Sequence, residues 1–102
     1  MQHKVNLPHY SEICELFRQY GVSYAGLFGS RAHGDNSPDS DFDILVDFEP
    51  NSKTTFLGMI DLKQKLEDVV MNKVDIVTRR SLSPYMRENI LQSVIPIYGQ
   101  KS

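Results

Sequence analysis

Residues 29 to 43 read GSRAHGDNSPDSDFD, set between the apolar runs VSYAGLF and ILVDF. This arrangement restricts the fold more than any other stretch. Turn formers such as Gly34, Asn36, Ser37 and Pro38 are ordinary loop residues. Their order is not ordinary: a Gly-Ser pair closes one apolar strand, and Asp-Phe-Asp opens the next.

The elements on either side follow from periodicity. VSYAGLF (22 to 28) reads as a first strand that ends at Gly29. FDILVDF alternates, with Phe42, Ile44, Val46 and Phe48 on one face and Asp41, Asp43, Leu45 and Asp47 on the other. Upstream, Ile13, Leu16, Phe17 and Tyr20 repeat at helical spacing, which predicts a helix from Pro8 to Tyr20 stopped by Gly21. Downstream, the spacing predicts a helix from Thr54 to Val70 that buries Phe56, Met59, Ile60, Leu66, Val69 and Val70, with Asn72 ending the turn beyond it. KVDIVT (73 to 78) reads as a third strand, with Val74 and Ile76 on one side and Asp75 on the other. Ser83-Pro84 starts a last helix with Met86, Ile90 and Leu91 as its apolar face, and VIPIY (94 to 98) suits an edge strand because Pro96 cannot donate. The expected class is α/β (α+β), one small sheet flanked by helices, in a single domain over residues 1 to 102.

Composition narrows the chemistry. A net charge of -2 and a pI near 5.8 supply no basic excess, so direct nucleic-acid binding is not expected. Cys14, the one cysteine, stands between Ile13 and Phe17 and reads as a small core residue in a reducing compartment. No apolar run approaches the roughly 20 residues of a membrane span, and MQHKVNLPHY lacks a signal-peptide core, so a cytoplasmic protein is expected.

Asp41 and Asp43, at i and i+2 on a strand, project to one face. Two such carboxylates can bracket a pair of divalent ions, the usual device for in-line phosphoryl or nucleotidyl displacement. Magnesium suits them because it takes carboxylate, water and phosphate oxygens. Asp75, interrupting an apolar strand, is placed to be a third carboxylate and to help activate the attacking hydroxyl. Gly29 allows backbone to approach a phosphate, Ser30 can donate from hydroxyl and amide, a short helix starting near Ser30 would aim its positive end at the triphosphate, and Arg31 or His33 can add charge. Taken singly, each residue has a plain use: Gly-Ser is a turn, Asp-x-Asp a solvated strand end, His33, Asp39 and Asp47 surface groups. The composite is far more specific.

The stretch GLFGSRAHGDNSPDSDFDILVDF resembles the signature of the DNA polymerase beta-like nucleotidyltransferase superfamily, Gly-Ser followed by Asp-x-Asp. The chain is similar to its minimal nucleotidyltransferases over residues 10 to 98. The resemblance implies the polymerase beta-like core, a small mixed sheet flanked by helices, with Gly29, Ser30, Arg31 and Ser40 contacting the nucleotide, and Asp41, Asp43 and Asp75 as catalytic, metal-binding residues. It implies two Mg2+ ions and ATP as donor. Many relatives carry Arg at the position of His33. Larger members add a domain that holds the acceptor, so a second subunit or partner is expected to supply it here, in a homo- or hetero-oligomer. Minimal nucleotidyltransferases commonly act as antitoxins to a HEPN-domain ribonuclease toxin, and some transfer AMP to a tyrosine of that toxin. Two other readings are an antitoxin that acts by occlusion alone and a small-molecule nucleotidyltransferase.

Overall fold

The structure, a computed structural model, describes residues 9–29 and 41–99. Helix α1 spans Tyr10–Gln19 and buries Ile13 and Phe17, four residues apart on one face. It begins two residues later than the sequence predicts, with His9 in the left-handed region at its N-cap. Gly21 follows with φ 76, a conformation open to glycine without strain, and turns the chain into the sheet.

The sheet has strand order β3-β2-β1-β4, with β1 Val22–Phe28, β2 Phe42–Phe48, β3 Val74–Thr78 and β4 Ile95–Tyr98. β1 pairs antiparallel with β2 and β4, while β3 runs parallel to β2, so the sheet is mixed as expected. A bulge interrupts β1: Val22 faces Phe48 and Tyr24 faces Asp47, which leaves Ser23 as the extra residue. The bulge resets the alternation, so Val22, Ala25 and Leu27 all reach the main core while Tyr24 and Gly26 turn to the opposite face. β4 lies at an edge with Pro96 beside Gly26, a position where a residue without an N–H is tolerated.

Helix α2 spans Phe56–Val70, and Thr55 caps it by accepting from the Gly58 N–H at 3.2 Å. Its buried face corrects the sequence expectation. Leu62 and Leu66 are fully buried, whereas Phe56 and Ile60 are 74% and 47% exposed. The reason is rotation: Ile60 is two residues, roughly 200° of helix, from Leu62, and Phe56 begins the helix in the solvent. Leu62, Leu66, Ile13 and Phe17 close over Ala25, Leu27, Phe42, Ile44, Val46 and Val74 as one core.

Helix α3 spans Pro84–Ser93, and Ser83 caps it by accepting from the Met86 N–H. Among the described residues this helix buries none completely, and Met86 is exposed, so the expected apolar face is reduced to half-buried Ile90 and Leu91. Its contact with the sheet comes just beyond its end, where Val94 and the Tyr24 hydroxyl occupy the space that a Gly26 side chain would need. Cys14 is half-buried, not fully buried, with its Sγ 3.9 Å from the Ile97 carbonyl that also accepts from the Tyr10 hydroxyl at 2.6 Å. No helix among the described residues is long and apolar enough to cross a membrane.

Candidate active site

The end of β1 meets the start of β2 at Phe28 and Asp43, which are directly paired. Gly29 follows with φ 79, and a Cβ there would lie 2.3 Å from Asp43 Oδ2. Only glycine fits, for conformation and for space, and its absent side chain lets backbone sit against the carboxylate.

On the other side of β2, the parallel register sets Asp43 against Asp75. Paired strands lie about 4.8 Å apart, and paired residues share a face. Because Phe42, Ile44 and Val74 point into the core, Asp43 and Asp75 project from the opposite face. Asp41 precedes the strand and is exposed, as is Asp75, while Asp43 is half-buried. Burial pushes the Asp43 carboxyl above its ordinary range, and the negative charges of Asp75 and Asp41 push it further.

Among the described residues, no three His, Cys, Asp or Glu side chains are drawn together closely enough to hold a metal ion as they stand. The carboxylates line an open edge. Their donors are hard oxygens, and the charge pressure on Asp43 is relieved by a cation, so the chemistry of the set fits magnesium. Asp41, Asp43 and Asp75 are the residues that would hold it.

The same pressure has a consequence for stability. A carboxyl whose folded pKa is raised binds its proton more tightly in the native state, so Asp43 costs stability increasingly as pH rises from its unfolded value, near 4, through its folded one. Asp43→Asn is therefore expected to raise the melting temperature at pH 7 without divalent ions. The gain should vanish at pH 3, where the wild-type group is protonated, and thermal melts at the two pH values check it.

Two further charged residues were legible only in part. Asp47, read from sequence as a surface charge, receives the Arg79 Nε–H on both carboxylate oxygens, at 3.0 and 2.9 Å. The Arg79 guanidinium lies over the Tyr24 ring, 5.7 Å from its centre. The parallel register explains the pair, since Val46 opposes Thr78 and the next residues on both strands are Asp47 and Arg79. Beneath them the Tyr24 hydroxyl is buried without a hydrogen-bond partner, and burial pushes its pKa up. Tyr24→Phe is expected to leave stability unchanged or raise it by up to about 1 kcal/mol, since it removes an unsatisfied buried hydroxyl. Urea unfolding measures the change.

Gly29, Asp41, Asp43 and Asp75 are thus brought to one sheet end. Ser30, Arg31, His33 and Ser40, and the short helix expected near Ser30, lie outside the described residues.

Comparison with known proteins fits this geometry. The family described as Polymerase beta, Nucleotidyltransferase matches residues 11–102. The protein adenylyltransferase MntA of Thermococcus cleftensis is 38% identical over 81 residues, 79% of this chain and 80% of that protein. A solved candidate minimal nucleotidyltransferase superposes with a TM-score of 0.73 at 38% identity, covering 85% of this chain and 87% of the other. A toxin–antitoxin crystal structure with AMP-PNP superposes with a TM-score of 0.74 at 25% identity, covering 91% and 75%. With the match taking in every strand of the sheet and all three carboxylates, the chain belongs to the polymerase beta nucleotidyltransferase family and is a nucleotidyltransferase.

Proposed function

We propose that this protein is a magnesium-dependent protein adenylyltransferase of the cytoplasm, an antitoxin that transfers AMP from ATP to a tyrosine hydroxyl of a HEPN ribonuclease toxin. The observation that carries the reading is the Asp43 carboxylate, pressed by Asp41 and Asp75 and set against bare backbone at Gly29. Two similarities support the acceptor class: the Thermococcus cleftensis relative is named a protein adenylyltransferase, and the structure solved with AMP-PNP is a toxin–antitoxin.

In this reading Asp41, Asp43 and Asp75 would hold the magnesium, and Gly29, having no side chain, leaves room for a phosphate beside the Asp43 carboxylate. When bound there, magnesium would supply positive charge to offset that of the triphosphate and the departing pyrophosphate. Asp75, exposed at the open edge, orients the tyrosine hydroxyl and takes its proton on a carboxylate oxygen. The phenolic oxygen forms a bond to the α-phosphorus as the bond to the pyrophosphate oxygen breaks, leaving AMP on the toxin.

The test is incubation with magnesium, ATP and a co-expressed HEPN toxin, followed by intact mass of both chains. A gain of one or more AMP units on the toxin supports the reading. A toxin that stays bound and silenced with no gain in mass would replace it with occlusion.

A further inference from the structure

Helix α2 ends at Val70, and the next residue, Met71, adopts φ 57 and ψ 43. Left-handed backbone after a helix is ordinarily glycine or asparagine, because a Cβ there crowds the carbonyl. Met71 carries that strain, and its side chain is 86% exposed. The backbone is held by the helix-capping bond from the Met71 N–H to the Glu67 carbonyl, whereas among the described residues the Met71 side chain lies mostly in solvent. The other non-glycine residue with positive φ among the described residues, His9, has a side-chain contact, with its Nδ1 3.0 Å from Glu12 Oε1.

The turn holding Met71 is firmly tied. The Met71 N–H donates to the Glu67 carbonyl at 2.8 Å, the Val74 N–H to Glu67 Oε2 at 3.0 Å, and the Lys73 N–H to Asn72 Oδ1 at 2.8 Å. The Phe42 N–H donates to the Lys73 carbonyl at 2.9 Å, which fastens the turn beside Asp41 and Asp43. Four residues after Met71 comes Asp75. A rigid loop therefore holds an apolar side chain out in the solvent at the same sheet end as the three carboxylates.

We propose that Met71 is a docking contact for the protein acceptor. The proposal rests on the protein-adenylyltransferase reading above. An acceptor as large as a protein must rest on surface flanking the carboxylates. Of the other exposed large apolar residues, Phe56, Leu57 and Ile60 lie in the first turns of α2, which starts at the opposite end of the sheet, where Thr54 bonds the Tyr20 carbonyl and Gly21 accepts from the Glu49 N–H, and Tyr85 and Met86 lie in the first turn of α3, reached only after β3 has run from Asp75 to Thr78. Met71 sits at the carboxylate end. A flexible thioether adapts to an irregular partner surface, and the hydrogen-bonded turn presents it in a fixed position.

The test uses Met71→Gly and Met71→Asn, both suited to left-handed backbone. Purified HEPN toxin is titrated into wild type and variants by calorimetry, with ATP binding, thermal melting and mass-detected transfer measured alongside. The expected result is variants that melt no lower than wild type and bind ATP equally, with the Kd for toxin raised at least fivefold. An unchanged Kd, or a change confined to self-association of the protein alone, would overturn the proposal. If toxin binding depends on Met71 but wild type transfers no AMP, the docking contact stands and the adenylyltransferase reading fails. If both variants bind and modify the toxin as wild type does, the reading stands and the docking contact fails.

Discussion

Exchanging Asp41 and Asp43 together for asparagine is expected to lower nucleotidyl transfer to the toxin by about 10³-fold or more, the scale on which losing transition-state charge stabilisation acts. Asparagine keeps the shape of each side chain and removes the charge that would hold a cation, so the loss should come from chemistry and not from packing. The fold supplies the reason. Neither carboxylate contributes to the hydrophobic core, and burial, together with the charges of Asp75 and Asp41, disfavours the ionised Asp43. The double variant should therefore melt at or above the wild-type temperature while transferring almost nothing, as read by intact mass of the toxin over time. A variant that unfolds would make the assay uninformative about catalysis, and that is the outcome the charge argument speaks against. Transfer at the wild-type rate from a folded double variant would sink the catalytic role of both residues. Toxin that remains silenced by the inactive variant would separate occlusion from modification, because binding needs the surface and modification needs the carboxylates.

Phe17→Ala is expected to cost about 3 to 5 kcal/mol of stability, the range for truncating a large core aromatic. Phe17 is completely buried, and its ring meets Tyr98 of β4 at 5.4 Å between centres, tilted by 47°. It ties α1 to the edge strand as well as to the sheet centre. A domain of this size is stable by about 5 to 15 kcal/mol in total, so the variant should lose a large share and could be mostly unfolded at 37 °C. Equilibrium urea unfolding with circular dichroism measures the loss. A cost under about 1.5 kcal/mol would mean that α1 can repack, and that the core is less cooperative than its contacts indicate.

The two predictions depend on residues of different legibility. Phe17 was visible as part of an i, i+3, i+4 apolar face, and Asp43 as one side of a strict alternation, because periods of 3.6 and 2 are properties of single elements. The strand identities, the capping of the last helix by Ser83 and the edge position of the Pro96 strand all follow from residues close together in the chain, whereas the mixed sheet was implied by the family resemblance. The buried face of α2 did not. Phe56, Ile60 and Leu62 are equally apolar in the sequence, and which of them turns inward depends on how the helix is rotated over the sheet. Met86 failed for a similar reason, since α3 covers little of the sheet and leaves its first turns in solvent.

The candidate site divides along the same line. Asp-x-Asp and Gly29 could be read in one short stretch, because they lie at two adjoining strand ends, Phe28 paired with Asp43, close together in the chain. That Asp75 joins them depends on a parallel register between β2 and β3, set by the core residues Phe42, Ile44 and Val74 on the reverse face. The Asp47–Arg79 ion pair comes from that same register, which no local pattern encodes. Met71 is the extreme case: in sequence it is one more apolar residue after a helix, and only its left-handed backbone and exposure beside the carboxylates mark it. Local periodicity determines which residues share a face. Which faces meet, and which side chains are left in solvent, depends on long-range packing, where contacts distant in sequence compete for one small core.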